Sequence, residues 1–192
     1  MKASIRISAL FVSLLLAGCG TAGLVDPGQP ASVGDGVSVM PQVKWNQFSN
    51  SHLHEILWTQ NGFSLDTLRF VTGIKSGKPL YPVLGVRKDM LDAFDAKMLP
   101  NDIQDLVVST MEKEGLENVH PGNLAPCPFG TASGFCFDLD FATRDGLMMK
   151  GKVIASKRAG QLDLFRFQAP AEYYYDAMSP TVTSVFASIT IK

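Results

Sequence analysis

The sequence predicts an α+β domain in which an antiparallel sheet has helices on both faces. Two observations predict the sheet. Between Phe135 and Ala142, aromatic and aliphatic residues alternate with polar ones, which is the two-residue period of a strand with one buried face. Leu147 to Ser156 and Gln161 to Ala169 are also apolar, and a turn containing glycine precedes each of them. These three segments predict an antiparallel meander.

The third strand of the meander indicates that both faces of the sheet are covered. Leu162 and Leu164 point to one side, whereas Phe165 and Phe167 point to the other. Since a sheet buries each apolar face against another layer, the sequence predicts an α-β-α sandwich.

The clearest helix prediction spans Asp102 to Glu114. Its apolar residues recur at spacings of three and four and form one stripe, consisting of Ile103, Leu106, Val107 and Met111. Asn101 is suited to cap the helix and Gly115 to end it. At the end of the chain, Ser179-Pro180 predicts the start of a second, short helix.

The first half of the domain contains weaker strand signals. Val37 and Val39 suggest a first strand, and Val119 to Leu124 another. His54 to Thr59 and Ser64 to Ile74 are expected to form a hairpin around Asn61-Gly62. Residues 81–98 follow no clear period, and their polar stretch, Arg87 to Asp95, could hold a helical turn or a mobile loop.

The N-terminus has the pattern of a secretory signal. Lys2 and Arg6 precede an apolar run, Ile7 to Ala17, that is too short to span a bilayer. Leu16-Ala17-Gly18-Cys19 then resembles the lipobox of bacterial lipoproteins, in which the cysteine becomes the lipidated first residue. We therefore predict a signal peptide at 1–18, a flexible tether at 19–35 after lipidated Cys19, and one domain at 36–192. Gly20 favours the outer membrane of a Gram-negative cell, facing the periplasm.

The three cysteines suit an oxidising compartment. If Cys19 carries lipid, Cys127 and Cys136 remain as an even pair, and we predict a disulfide between them. Two buried free thiols, or half of a metal site, are the alternatives.

The charge distribution indicates no nucleic-acid partner. The chain has 17 basic and 18 acidic residues, with a formal net charge of -1, and its lysines and arginines are scattered. Nucleic-acid binding domains usually concentrate basic residues on one face.

The order of elements resembles the PsbP-like fold. The residues that carry this resemblance are Val39-Met40-Pro41 followed by Trp45, the early hairpin, one long helix, the meander and a final helix after Ala169-Pro170. The segment Trp58-Thr59-Gln60-Asn61-Gly62 is also similar to a family of uncharacterised proteobacterial lipoproteins with a DcrB-like fold. The resemblance spans roughly residues 36–192 and implies accessory or binding roles, with no catalytic residues and no cofactor.

Two residue pairs are candidates for chemistry. His52 and His54 lie two residues apart and could supply half of a metal site, although an HExxH pattern fails at Trp58. Asp138 and Asp140 share one face of a strand and could form a carboxylate pair. The simpler interpretation makes the aspartates solvent-exposed, with Lys150 and Lys152 as partners on the next strand.

The expected function is therefore a membrane-anchored, non-catalytic binding or accessory module of the cell envelope. A protein partner is expected at the loop 81–98 and at an aromatic surface formed by Tyr173, Tyr174 and Tyr175, because tyrosine gives a large contact area at low entropic cost. For these tyrosines, the alternative is that they are core and rim residues of a short helix and have no binding role. The alternative is an envelope hydrolase or metal-binding protein that uses His52 and His54 or Asp138 and Asp140.

Overall fold

The fold was analysed in a computed structural model, which describes residues 21–50 and 55–192. The strands are β1 Thr21–Val25, β2 Ala31–Gly34, β3 Val37–Val39, β4 Trp45–Asn50, β5 Glu55–Thr59, β6 Thr67–Lys75, β7 Glu117–Phe129, β8 Ala132–Ala142, β9 Met148–Arg158, β10 Gln161–Pro170 and β11 Thr190–Ile191. The helices are α1 Pro100–Lys113 and α2 Tyr174–Ala187, with one 3₁₀ turn at Lys88–Met90.

Eight strands form one antiparallel sheet in the order β1-β4-β5-β6-β10-β9-β8-β7. A small second sheet has the order β11-β3-β2. The predicted mixed α+β class is confirmed. β1 and β7 are the two edges of the large sheet, and the meander forms the half that ends at β7.

The predicted tether is wrong for the residues that the structure describes. Residues 21–25 form β1, which pairs with β4 from Thr21 opposite Ser49 to Val25 opposite Trp45. Residues 31–34 form β2 and pair with β3. Their Gly-, Pro- and Ala-rich composition lacks an apolar period, but backbone hydrogen bonds to a preformed strand require no particular side chain. Residues 21–25 and 31–34, which the sequence assigned to the tether, are therefore paired strands of the folded domain.

The meander is confirmed with longer strands than the sequence predicted. β8 pairs with β9, and β9 with β10, in continuous register. Ala159 and Gly160, both with positive φ, form the tight turn between β9 and β10. Two successive positive φ values are those of a turn whose twist matches the twist of the flanking strands.

The early hairpin is also confirmed, but its connection is longer than a tight turn. β5 and β6 pair antiparallel across residues 60–66. Buried Asp66 organises this loop, since its two carboxylate oxygens accept hydrogen bonds from the backbone N–H groups of Gln60 and Asn61, each at 2.7 Å. Asp66 therefore supplies acceptors for loop donors that no strand satisfies.

Helix α1 begins two residues earlier than predicted. Pro100 occupies its first turn, and the carboxylate of Asp102 accepts a hydrogen bond from the backbone N–H of Leu99 at 2.7 Å. The cap is therefore at Leu99, not at Asn101. The predicted apolar stripe is buried, and Gly115, with φ of 87°, ends the helix as predicted.

Helix α2 is one continuous helix, so the predicted start at Ser179-Pro180 is wrong. It begins at Tyr174 and contains Pro180 in its interior. Pro180 has no N–H to donate to the preceding turn, while the Ser179 hydroxyl donates to the carbonyl of Tyr175 at 2.6 Å. Burial of Met178, Val182, Val185 and Phe186 stabilises the helix despite the proline.

Alternate residues of the central strands belong to two separate hydrophobic clusters. The α1 cluster joins helix α1 to one set of strand residues, among them Phe135, Phe137, Leu139, Val153 and Leu164. The α2 cluster joins helix α2 to the other set, among them Trp58, Phe70, Ile154, Phe165 and Phe167.

The segment at 81–98 contributes Tyr81, Val83, Leu91 and Phe94 to the α1 cluster, and Leu80, directly before it, is also a member. A single bridge between Lys78 and Phe94 closes the base of this loop. In the part of the chain that the structure describes, no helix has the length and apolar character needed to cross a bilayer.

Candidate functional site

A cleft of 510 Å³ lies beside a cluster of charged residues that the sequence analysis missed. It is lined by Glu55, Arg69, Glu114 and the loop from Pro82 to Gly85. Leu84, at the tip of this loop, is fully exposed. The cleft thus combines an apolar, accessible loop with charged groups that are largely withdrawn from water.

The sheet register explains why two guanidinium groups meet below this cleft. Arg69 on β6 lies directly opposite Arg166 on β10. Like charges in directly opposite positions destabilise a sheet unless a counterion separates them. Glu114, the C-cap residue of α1, is that counterion.

The Glu114 carboxylate bridges the two arginines. Its Oε2 accepts a hydrogen bond from Nη2 of Arg166 at 2.9 Å, and its Oε1 lies 3.1 Å from Nη1 of Arg69. Glu55 Oε2 lies 3.2 Å from the same Arg69 nitrogen. Two carboxylates and two guanidinium groups therefore form one buried network with no net formal charge.

Tyr81 completes the network. Its hydroxyl accepts a hydrogen bond from Nη1 of Arg166 at 2.8 Å. The Arg69 guanidinium carbon lies 4.0 Å from the centroid of the Tyr81 ring, within the range of a cation–π contact. The side chain of Arg166 is only 2% exposed, so its charge depends on these partners.

Burial and charge act in opposite directions on the two carboxyls. Burial alone would raise the pKa of Glu114, but the charges of Arg166 and Arg69 outweigh it and hold that pKa below its ordinary value. For Glu55 burial prevails over the attraction of Arg69, and the pKa is raised. Burial also raises the pKa of Tyr81 to about 12, so the phenol remains protonated at neutral pH.

The network has unused hydrogen-bonding capacity. Arg69 Nε and Arg166 Nε are buried and have no hydrogen-bond partner, and Glu55 Oε2 has its ion pair with Arg69 but no hydrogen bond. Buried polar atoms of this kind cost free energy unless they are paired, and they are uncommon in a purely structural network. The cleft is therefore suited to binding a small polar group or solvent at its floor.

The predicted aspartate pair lies elsewhere, on β8. The sheet register places Asp138 opposite Lys152 and Asp140 opposite Lys150, as the simpler interpretation predicted. The Asp138 carboxylate accepts hydrogen bonds from Lys152 at 3.2 Å and from the side-chain amide of Asn123 at 2.8 Å. In the described part of the chain, no three His, Cys, Asp or Glu side chains form a group that could hold a metal ion.

The three tyrosines are not equivalent. Tyr173 is 73% exposed and precedes α2 with a positive φ of 68°. Tyr174 and Tyr175 pack against the α2 cluster, and the Tyr175 ring stacks on Phe167 with 5.6 Å between centroids. Of the predicted aromatic surface, Tyr173 alone is fully available to a partner.

The cysteine pair is close in space but not bonded. Cys127 lies opposite Gly134 and Cys136 opposite Ala125, so the two cysteines are diagonal neighbours on β7 and β8. Both are free thiols in the structure, and the disulfide stays a prediction. Burial, with a smaller contribution from Cys136, raises the pKa of Cys127 to about 12. A thiol that stays protonated at neutral pH is a poor nucleophile.

The remaining candidate residues, Cys19, His52 and His54, lie outside the described residues, as does the predicted signal peptide. The charged network did leave a signal in the sequence. Arg166 stands between Phe165 and Phe167 and shares a face with Leu164, within a strand expected to be buried on both sides. Such an arginine needs a buried partner, but the identity of that partner depends on tertiary contacts.

No family model matches the sequence, and no curated protein matches it. Among solved structures, the chain is similar to PsbP (CyanoP) from Synechocystis sp. PCC 6803, with a TM-score of 0.52 and 10% identity, over 96% of this chain and 98% of that one. At this identity the likeness concerns the fold alone. The predicted PsbP-like fold is thereby confirmed.

Two other structures are less similar. A protein from Bacteroides thetaiotaomicron has a TM-score of 0.48 and 13% identity, and the match covers 86% of this chain and 48% of the other. This chain therefore spans about half the length of that protein. LpqN of Mycobacterium tuberculosis, described as involved in cell envelope biogenesis, has a TM-score of 0.37 and 10% identity over 90% of this chain and 91% of its own. At these scores neither likeness defines the fold.

Proposed function

We propose that this chain is a lipid-anchored protein of the cell envelope that acts as a binding or accessory module and not as an enzyme. The observation that carries the proposal is the lipobox-like segment, Leu16 to Cys19, which lies two residues before strand β1 of the folded domain. Buried acyl methylenes contribute about 0.8 kcal/mol each, so several acyl chains on Cys19 hold such a protein on a membrane. Gly20 favours the outer membrane, facing the periplasm.

The chemistry of the described candidates supports binding. Asp138 is engaged by Lys152 and Asn123, and the Cys127 thiol is protonated at neutral pH. A carboxylate or thiol in such surroundings is poorly prepared for general-base or nucleophilic catalysis. We also infer that α1 and α2 lie on opposite faces of the sheet, which the separate α1 and α2 clusters support.

The anchor is tested by changing Cys19 to Ala in the full-length precursor. We expect loss of the acyl mass on residue 19, together with release from the membrane fraction or accumulation of uncleaved precursor. The matched control is Cys127→Ser, which leaves processing and fractionation unchanged. Unaltered processing and membrane association of the Cys19→Ala protein would contradict the proposal.

The binding role is tested by photo-crosslinking in intact cells from two exposed positions, Leu84 at the mouth of the cleft and Tyr173 beside α2. We expect at least one of them to give a discrete protein adduct, whereas exposed Met90 on the 3₁₀ turn serves as the control.

An envelope hydrolase is the second candidate, and Glu55 is the observation that favours it. Its carboxyl lines the cleft and has a raised pKa, which are properties of a general acid. Turnover of an envelope substrate by the purified domain, abolished by Glu55→Gln, would replace the binding proposal.

A further inference from the structure

Exposed apolar side chains of the described residues lie together near strand β1, at one edge of the large sheet. We define the edge patch as Leu24, Phe48, Leu57 and Phe63. Leu24 is 64% exposed, Phe48 39% and Phe63 43%, while Leu57 is half-buried. Phe48 and Phe63 contact each other edge to face, with 4.8 Å between ring centroids, so these two rings form one apolar surface.

The register places the strand members of the patch on one face. Phe48 lies opposite Ala22 on one side and opposite Leu57 on the other, and Leu24 is two residues along from Ala22. Residues opposite each other, or two apart on one strand, point to the same side of a sheet. Val25 points the other way and packs against the α2 cluster.

We propose that the edge patch rests on the lipid bilayer to which the chain is anchored. The proposal depends on the lipid anchor proposed above, because chain length then determines where the patch can lie. Only Gly20 separates Cys19 from Thr21. Three residues of extended chain span at most about 10 Å, so Ala22 stays within that distance of the acylated cysteine.

Phe48 is the cross-strand neighbour of Ala22, and opposite residues in antiparallel strands are about 5 Å apart. The patch therefore begins within about 15 Å of the anchor, which is less than the width of the eight-stranded sheet at about 4.8 Å per strand. A flexible tether of 17 residues would have let the domain turn any face to the membrane. The pairing of β1 with β4 removes that freedom.

The chemistry of the patch suits the membrane interface. Its exposed members are one leucine and two phenylalanines, residues that bury favourably at the boundary between headgroups and acyl chains. Exposed, uncharged Asn46 shares their face, since it lies opposite Leu24. An amide there can remain hydrated by headgroups while the rings enter the apolar layer.

The test is photo-crosslinking of the full-length, lipidated protein in its own membrane. A photoreactive phenylalanine analogue replaces Phe48 or Phe63, and the control places it at Leu124. Leu124 is 38% exposed, close to the value for Phe48, but it lies on β7 at the opposite edge of the sheet. Seven strand spacings separate the two edges, about 34 Å.

We expect phospholipid adducts when the label is at position 48 or 63. We expect no such adducts when it is at position 124, and none at position 48 when Cys19 is also changed to Ala. Protein adducts at 48 and 63 would overturn the proposal in favour of a protein partner. Equal lipid adducts at all three positions would also overturn the proposal. So would the absence of adducts at position 48 while the acyl mass on Cys19 is intact. Neither result would contradict the lipid anchor itself. A residue 19 without acyl chains would overturn both proposals.

Discussion

One row of directly opposed residues crosses most of the large sheet and changes character along its length. From β1 to β8 it consists of Ala22, Phe48, Leu57, Arg69, Arg166, Val153 and Phe137. At the β8 end the residues are apolar and buried beneath α1, as hydrophobic burial dictates. At the β1 end they are apolar and exposed or half-buried, and in the middle Arg166 is charged and buried while Arg69 is charged and 15% exposed.

The difference between the two ends follows from what covers them. Phe137 belongs to the α1 cluster, whereas Phe48 is 39% exposed and contacts the ring of Phe63. Glu114, at the end of α1, marks the boundary between the two regions. A carboxylate is unfavourable at a helix C-terminus, so this position is stabilised by the arginines beneath it. The charged residues of the row thus lie where the apolar packing against α1 ends.

The boundary should be the most sensitive position in the row. Replacing Arg166 with Ala removes a guanidinium from between Glu114 and Tyr81 and leaves a buried carboxylate with one partner fewer. We expect a loss of about 3 to 5 kcal/mol in the free energy of unfolding, measured by urea denaturation. Arg87→Ala, which removes an exposed ion pair with Asp89, is the control and should leave the free energy of unfolding nearly unchanged. Equal effects of the two substitutions would refute the buried network.

Each end of the row contains one phenylalanine, Phe48 near β1 and Phe137 on β8, and the two can be compared directly. Phe137→Ala should cost about 3 to 5 kcal/mol, since it opens a cavity in the α1 cluster. Phe48→Ala should cost less than about 1 kcal/mol in the protein freed of lipid, because its ring is already partly in water. Urea denaturation of both variants checks the contrast. A large effect of Phe48→Ala would mean that the edge patch is part of the core.

Much of this organisation could be predicted from the sequence, but only where it depends on residues that are close together in the chain. The meander, the hairpin and the buried stripe of α1 follow from periodicity and turn residues close together in the chain. β1 carries no such period, and it becomes a strand because β4 offers it a backbone edge. Its pairing could not be predicted from residues 21–25 alone.

The charged network illustrates the same limit. Glu55, Arg69, Glu114 and Arg166 come from four separate elements, and no short motif joins them. Their side chains meet because β6 pairs with β10 and because α1 ends above that pair. The position of Arg166 between two phenylalanines indicated that the arginine has a buried partner. That the partner is Glu114 depends on tertiary packing and could not be predicted from the sequence.

The two edges of the sheet also differ in how they can be stabilised. β1 is held to β4 by backbone pairing, whereas β7 carries Cys127 beside Cys136 of β8. If these cysteines form the predicted disulfide in the oxidised envelope, Cys127→Ser should lower stability by about 2 to 3 kcal/mol under non-reducing conditions and much less in reductant. Mass spectrometry of the non-reduced protein supplies the independent check. Two free thiols in protein isolated from the envelope would show that the bond does not form.

The smallest expected effect is a difference in the pH dependence of stability, and it separates the two carboxyls of the cleft. The folded-state pKa of Glu114 is depressed below the ordinary 4.5, so its contribution to stability is present above that value and is lost as pH falls through the folded pKa. The pKa of Glu55 is shifted in the opposite direction. Its folded-state pKa is raised above 4.5, so its ionisation opposes folding as pH rises through the folded value.

Unfolding midpoints in urea, measured from neutral pH to about pH 3, should therefore respond differently to two substitutions at the same cleft. Glu114→Gln should lower the midpoint at neutral pH and flatten its decline below about pH 4.5, because the variant has no carboxylate left to protonate. Compared with the wild type, Glu55→Gln should have a midpoint that is relatively higher at neutral pH than in acid. The reason is that the variant lacks a carboxylate whose ionisation opposes folding. Exposed Glu112→Gln, on the same helix, is the control for a general change in charge. Parallel pH profiles for Glu114→Gln and Glu55→Gln would mean that Arg69 and Arg166 do not distinguish the two carboxylates, and that the boundary at the end of α1 is not electrostatic.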